Sequence, residues 1–184
     1  GDKLLLRQTN DISKAMGTPD SIRMSEDQTN RKAFDIILNT KDIEKQKSKL
    51  AALIRENVQK MAQDAVPEEV EKRQAAILQQ LTSPWFQYFV KYDPAPTLSK
   101  VRCRVLALNG ERDLQVSPKE NLTAIRKALE AGGNKNFRIV ELPGLNHLFQ
   151  ECQTGVPSEY GSIEQTFSPK ALETIAKWIK ENKI

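Results

Sequence analysis

The chain holds one histidine, His147, in the stretch "LPGLNHLFQ" (142–150). Imidazole is the side chain best suited to taking and returning a proton near neutral pH. A base of this kind works best when a carboxylate holds it in one tautomer and stabilises its protonated form. Two acids compete for that role in "LNGERDLQVSP" (108–118), Glu111 and Asp113. Asp113 is preferred. Glu111 lies one residue past Gly110, whereas Asp113 leads into the apolar Val116 and the next helix start. Taken singly, each residue has a plainer reading, His147 as a hydrogen-bonded structural histidine and Asp113 as a turn acid. Cys103 and Cys152 are isolated, with no C-x-x-C and no second histidine, so no zinc site is expected. They read as two ordinary buried thiols, with a disulfide only in an oxidising compartment.

The elements around the two residues make the pair more specific than either member. "VRCRVLALNG" (101–110) is a β-rich apolar run ended by Asn-Gly, and "NFRIVELPG" (136–144) is another, ended by Pro-Gly. Between them Ser117 caps and Pro118 opens a helix lined by Leu122, Ile125 and Leu129, and Gly132 and Gly133 close it. Strand, helix, strand at this spacing predicts a parallel, right-handed βαβ unit. Asp113 follows the first strand and His147 the second, 34 positions later, so both loops leave the carboxyl edge of the sheet, where ligands gather. A last helix begins at Ser168-Pro169, with Leu172, Ile175, Ala176 and Ile179 on one face and Trp178 beside them.

The first half reads as helical. Gly17 suits the end of an opening helix. "SEDQ" from Ser25 has a capping-box pattern ahead of a helix burying Phe34, Ile37 and Leu38. Thr40 is the expected cap of the next helix, whose Leu50, Leu53, Ile54, Val58 and Met61 fall on one stripe. Pro67 opens a third, with Val70, Ile77, Leu78 and Leu81 on one side, and "SPWFQYFVKY" predicts a fourth after Pro84. The composition changes near Pro94, which divides the chain into 1–92 and 93–184. Only two strands are evident, and two strands that read as buried on both faces need further strands, from this protein or from a partner.

The 184 residues suffice for one sizeable core, and 39% apolar with 28% charged residues describes a globular, rather polar chain. No apolar run is long enough for a membrane span. "GDKLLLRQ" lacks the apolar region of a signal peptide and an initiator Met, so Gly1 reads as a tag remnant, a processing product or the start of a fragment. The compartment stays open between cytoplasmic and periplasmic or secreted. The net charge of +4 is spread among interleaved signs, as in "KDIEKQKSKLAALIRE", the pattern of a solvated helix face. A nucleic-acid surface would need a basic stripe with aromatics between the charges, and none is present.

"VLALNGERDLQVSP", "ELPGLNHLFQ" and "EYGSIEQTFSPKALETIAKWI" together resemble the C-terminal part of an α/β-hydrolase, of the serine aminopeptidase and esterase-like branch. The G-x-x-D-x-x-V after the first strand and N-H-x-F after the second are similar to that family's acid and histidine loops. The resemblance covers residues 83–182 and implies Asp113 as triad acid and His147 as triad base. "SPWFQYFVKYDP" is similar to the segment that leads from the family's cap into its sheet, and the helical stretch before it would be the cap. The fold so implied is α/β, a helical lid (1–92) followed by a terminal βαβα unit of a parallel sheet (93–184). Arg104 departs from the proline usual before the strand. The larger departure is the nucleophile: no two glycines bracket a serine as G-x-S-x-G.

The implied activity is that of a serine hydrolase acting on carboxylic esters or peptide-like amides. It needs no cofactor, and its nucleophile half lies outside this chain, in a missing N-terminal half; the exposed edge of a half-sheet is expected to associate with that half or, in a self-associated dimer, with a second copy. The fragment alone is expected to be inactive. Trp85, Phe86 and Tyr88 are candidates for the apolar wall of the substrate pocket, with plain core packing as the competing reading. The rival hypothesis is a non-enzymatic helical interaction module with a degenerate α/β tail, which would leave Asp113 and His147 apart. A nucleotide-binding βαβ unit is disfavoured, since "LNGERD" carries one glycine where a phosphate loop needs several.

Overall fold

A computed structural model of the chain describes residues 1–61 and 66–182, with the side chains of residues 60 and 61 left aside. Six helices come first: α1 (Asp2–Ala15), α2 (Asp20–Asn39), α3 (Ile43–Met61), α4 (Pro67–Thr82), α5 (Pro84–Lys91) and the short α6 (Ala95–Leu98). There follow β1 (Val105–Gly110), α7 (Pro118–Ala131), β2 (Phe137–Leu142), a 3-10 helix (Pro157–Ser162) and α8 (Pro169–Asn182). The chain divides into two compact units, one of Gly1–Leu6 and Pro19–Tyr92, the other of Arg7–Thr18 and Asp93–Ile184.

This architecture corrects the expected fold class. The described residues are 64% helical with two parallel strands, and the architecture is not the terminal βαβα unit of an α/β-hydrolase sheet. The strands are not buried on both faces either. Arg138 and Glu141 of β2 are exposed, and Leu106 and Leu108 of β1 are half-buried. Short apolar runs bounded by turns identify strands, but they carry no information about how many strands surround them.

In the first unit the apolar spacing builds the core. Phe34 and Ile37 of α2, Leu50 of α3, and Phe86 and Val90 of α5 cluster with Ala33, and Leu53, Leu78 and Leu81 pack against them. Ile54 and Val58 continue the α3 stripe as buried residues, while the side chain of Met61 lies outside the described residues. Leu38, expected in this core, is exposed, because it stands about 100° round the helix from Ile37. Two helix starts also differ from expectation. α2 begins at Asp20 rather than near Ser25, so Ser25 is helical and its carbonyl accepts from the Thr29 hydroxyl. α3 is capped by Asp42, whose Oδ1 accepts from Lys45 N at 2.9 Å, while Thr40 ends α2 in an extended conformation. Gly17 closes α1 at a φ of 77°, with Thr18 N donating to Ser13 O, as a left-handed helix stop requires.

In the second unit β1 and β2 pair in parallel, from Val105 opposite Phe137 to Gly110 opposite Leu142. The two strands thus end level, and the loops that follow start side by side. At the other end of the pair Asn134 is buried, and its amide donates to Val101 O and Cys103 O. α8 turns a different face inward from the one its Leu and Ile residues predict. Ala171 is buried and Ile175 and Trp178 are half-buried, whereas Leu172 and Ile179 are exposed. The two free thiols, expected to be buried, are not: Cys103 is exposed and Cys152 half-buried.

Candidate acid–base site

The acid loop and the histidine loop close on each other through Gly110. A Cβ there would lie 2.2 Å from Leu145 O, so a side chain would force the loops apart. Glu111 N donates to Leu142 O and Arg112 N to Leu145 O, each at 2.9 Å, continuing the strand pairing into the loops. Glu111 turns to the backbone: its Oε2 accepts from Gly144 N at 2.8 Å and so ties the Pro-Gly turn. That leaves Asp113 to face the imidazole.

Asp113 is buried, its side chain 4% exposed. Its Oδ1 accepts from the backbone N–H of Gln115 at 2.9 Å and of Val116 at 2.8 Å. Its Oδ2 accepts from Asn109 Nδ2 at 3.0 Å and meets His147 Nδ1 at 3.0 Å. Four N–H positions converge on two oxygens, an arrangement suited to a carboxylate that only accepts. Against such an acceptor Nδ1 is the donor, which leaves the lone pair on Nε2. Nε2 makes no hydrogen bond among the described residues, and the His147 side chain is 36% exposed. The geometry is that of an oriented base with its working nitrogen open. The rival interaction-module reading expects the two residues apart; they stand at hydrogen-bond distance.

Asn146, fully buried, shapes the turn that presents His147. Its Oδ1 accepts from Leu148 N and Gln150 N, both at 2.9 Å, and its Nδ2 donates to Gln150 Oε1. Phe149 takes a left-handed backbone, φ 57°, and its ring packs on Phe167 with centroids 5.3 Å apart. Tyr160 lies beside the acid, its hydroxyl accepting from Gln115 Nε2 at 3.1 Å. Burial raises the Tyr160 pKa, and the charge of Asp113 acts in the same direction. Burial, with the nearby Glu159 charge, likewise holds the Cys152 thiol above its ordinary value, so it is protonated and a poor nucleophile.

Sequence reasoning missed Asn109, Gln115, Asn146 and Tyr160. Asn109 reads there as the Asn-Gly end of a strand and Asn146 only as a member of the N-H-x-F motif, and only the folded loops show what their amides hold. The three pocket candidates belong to the other unit, on α5. Phe86 is in its core, while Trp85 and Tyr88 are 68% and 66% exposed. No set of three or more His, Cys, Asp or Glu side chains among the described residues is grouped to hold a metal ion. No known family, no curated protein and no solved structure matches the chain.

Proposed function

We propose that this chain supplies the acid–base pair of a serine hydrolase acting on carboxylic esters or peptide-like amides. The observation that carries the reading is the buried Asp113 carboxylate 3.0 Å from Nδ1 of a His147 whose Nε2 is open. The likeness of the two loops to hydrolase acid and histidine loops supports it; the mostly helical fold does not. A serine hydroxyl from a separate stretch of polypeptide would attack the acyl carbon as its proton passes to Nε2. His147 would then return that proton to the departing alkoxide or amine. Asp113 would hold the ring and stabilise it while charged.

Two measurements test this. Ring 15N spectra of the lone histidine are expected to show the Nδ1–H tautomer in the native chain and its loss in Asp113→Ala. A ring with the solution mixture of tautomers in both proteins would end the proposal. With a p-nitrophenyl ester, the isolated chain is expected to show neither a burst nor turnover above that of His147→Ala. Robust turnover lost in His147→Ala would instead place the nucleophile within these residues.

A further inference from the structure

The acid of the pair does not stand alone beneath the imidazole. Asn109 is a buried strand residue whose side chain points to the same site. Its Nδ2 donates both to Asp113 Oδ2 at 3.0 Å and to Val116 O at 3.0 Å, and its Oδ1 accepts from Asn121 Nδ2 at 2.6 Å. Both N–H donors and the carbonyl oxygen of Asn109 are engaged in this way, and the amide orientation has one consistent solution. Reversing it would set an oxygen against Asp113 Oδ2 and Val116 O, and an NH2 against the donor of Asn121. The network runs from the first turn of α7 through β1 to the carboxylate.

We propose that Asn109, held by Asn121, is a positioning residue that aims Asp113 Oδ2 at His147 and so fixes the tautomer of the ring. The proposal rests on the reading of Asp113 and His147 as a working pair. The backbone N–H groups of Gln115 and Val116 fix only Oδ1. A carboxylate held at one oxygen can still swing about that anchor. Asn109 is the second anchor, on the oxygen that receives the imidazole N–H. A buried polar chain of this kind gives orientation only while every member is satisfied. Asn121 belongs to it because its Nδ2, 2.6 Å from Asn109 Oδ1, holds the far side of the Asn109 amide in place.

The test uses Asn109→Leu, which keeps the branching and number of side-chain heavy atoms but makes no hydrogen bonds, with Asn121→Leu as its companion. Ring 15N spectra of His147 are recorded on both and on the unchanged chain, with circular dichroism as the check on folding. Asn109→Leu is expected to lower the ratio of Nδ1–H to Nε2–H tautomer about five-fold, the factor that one hydrogen bond of ordinary net strength is worth. Asn121→Leu is expected to shift it the same way by less. A folded Asn109→Leu chain with the native ratio overturns the inference. Should Asn109→Leu not fold, an unchanged ratio in Asn121→Leu overturns it. The two proposals fail differently. If the unchanged chain lacks the Nδ1–H tautomer, the acid–base reading falls and takes this inference with it. If the unchanged chain has that tautomer and the variants keep it, only Asn109's role falls.

Discussion

In the unit of Gly1–Leu6 and Pro19–Tyr92 the buried side chains are apolar, from Phe34 and Ile37 to Phe86 and Val90, with Gln46 the one buried polar exception among the described residues. In the unit that carries the site, Asn109, Asp113, Asn134, Asn146, Gln150 and Ser168 are all buried beside Leu129, Leu142 and Leu145. The difference is one of directionality. Apolar contact is strong in sum but indifferent to orientation, which suits helices that need only stay packed. A buried amide has fixed donors and acceptors and costs free energy unless each is met, so it selects one geometry. The second unit spends its interior on that selectivity, and the places where it does so are the acid loop, the histidine loop and the start of β1.

The comparison can be tested by removing one residue of each kind. Leu50→Ala deletes a fully buried side chain from the helical core and is expected to destabilise by about 2–5 kcal/mol in denaturant unfolding. The His147 ring spectrum should nonetheless keep its native tautomer under folding conditions. Asn146→Ala is expected to cost less, about 1–3 kcal/mol, the range for leaving a buried donor unsatisfied, here Gln150 N. It should broaden or shift the His147 signals all the same. If Leu50→Ala disturbs the ring more than Asn146→Ala does, the division between packing and orientation fails.

Punctuation residues were the legible part of the fold. Gly17, Pro67, Pro84, Pro118 and Pro169 mark the ends of observed helices, because their backbone constraints act locally. That β1 and β2 end at one edge was legible too, since a turn signal follows each of the two runs of a βαβ unit; that they end level is read from the pairing itself. The nearness of Asp113 and His147 follows from that register. What they do chemically does not follow from register, nor does the number of strands in the sheet. The face of α8 was misread because Leu172 and Ile179 outweigh Ala171 on any hydropathy scale, yet small Ala171 is the residue that fits against Leu142 and Leu145. The Asn109–Asn121 amide pair and the separate hydrogen bonds of Asn146 within its own turn were illegible for a different reason. Asparagine is a common turn residue, and only three-dimensional partners distinguish a cap from an anchor.

A weaker effect comes from the loop beyond the histidine. The Glu159 carboxylate accepts from the Thr154 hydroxyl and from the backbone N–H groups of Gln153, Thr154 and Gly155. These bonds, the hydroxyl first, lower its pKa from 4.5 to about 2. Because the folded value is the lower one, the unfolded chain binds the extra proton. The stabilisation is therefore present above pH 4.5 and is lost as the pH falls toward 2. Amide-exchange protection at Gln153, Thr154 and Gly155 is expected to fall over that window, and Glu159→Gln to weaken it at neutral pH. Protection that is flat with pH, or unaffected by Glu159→Gln, would show that the loop is held by other means. The Asn109 network should not respond to Glu159→Gln, which separates a surface clasp from the buried one.

The smallest effect is expected at Trp85, and it tests how far the apolar rule of the helical unit extends. Trp85 stacks on Phe89 at a centroid distance of 5.2 Å, but most of its surface already faces water. Truncating it removes little buried area, so Trp85→Ala should change stability by no more than about 0.5 kcal/mol, as for most surface substitutions. Phe86, its neighbour on α5, lies in the core, and Phe86→Ala should cost about 3–5 kcal/mol. Measured together by denaturant unfolding, the two variants set an exposed aromatic against a buried one on a single helix. A cost at Trp85 comparable to that at Phe86 would mean that the ring is covered in solution. If that cost rose with protein concentration, a second copy of the chain would be the cover, because only association makes apparent stability depend on concentration.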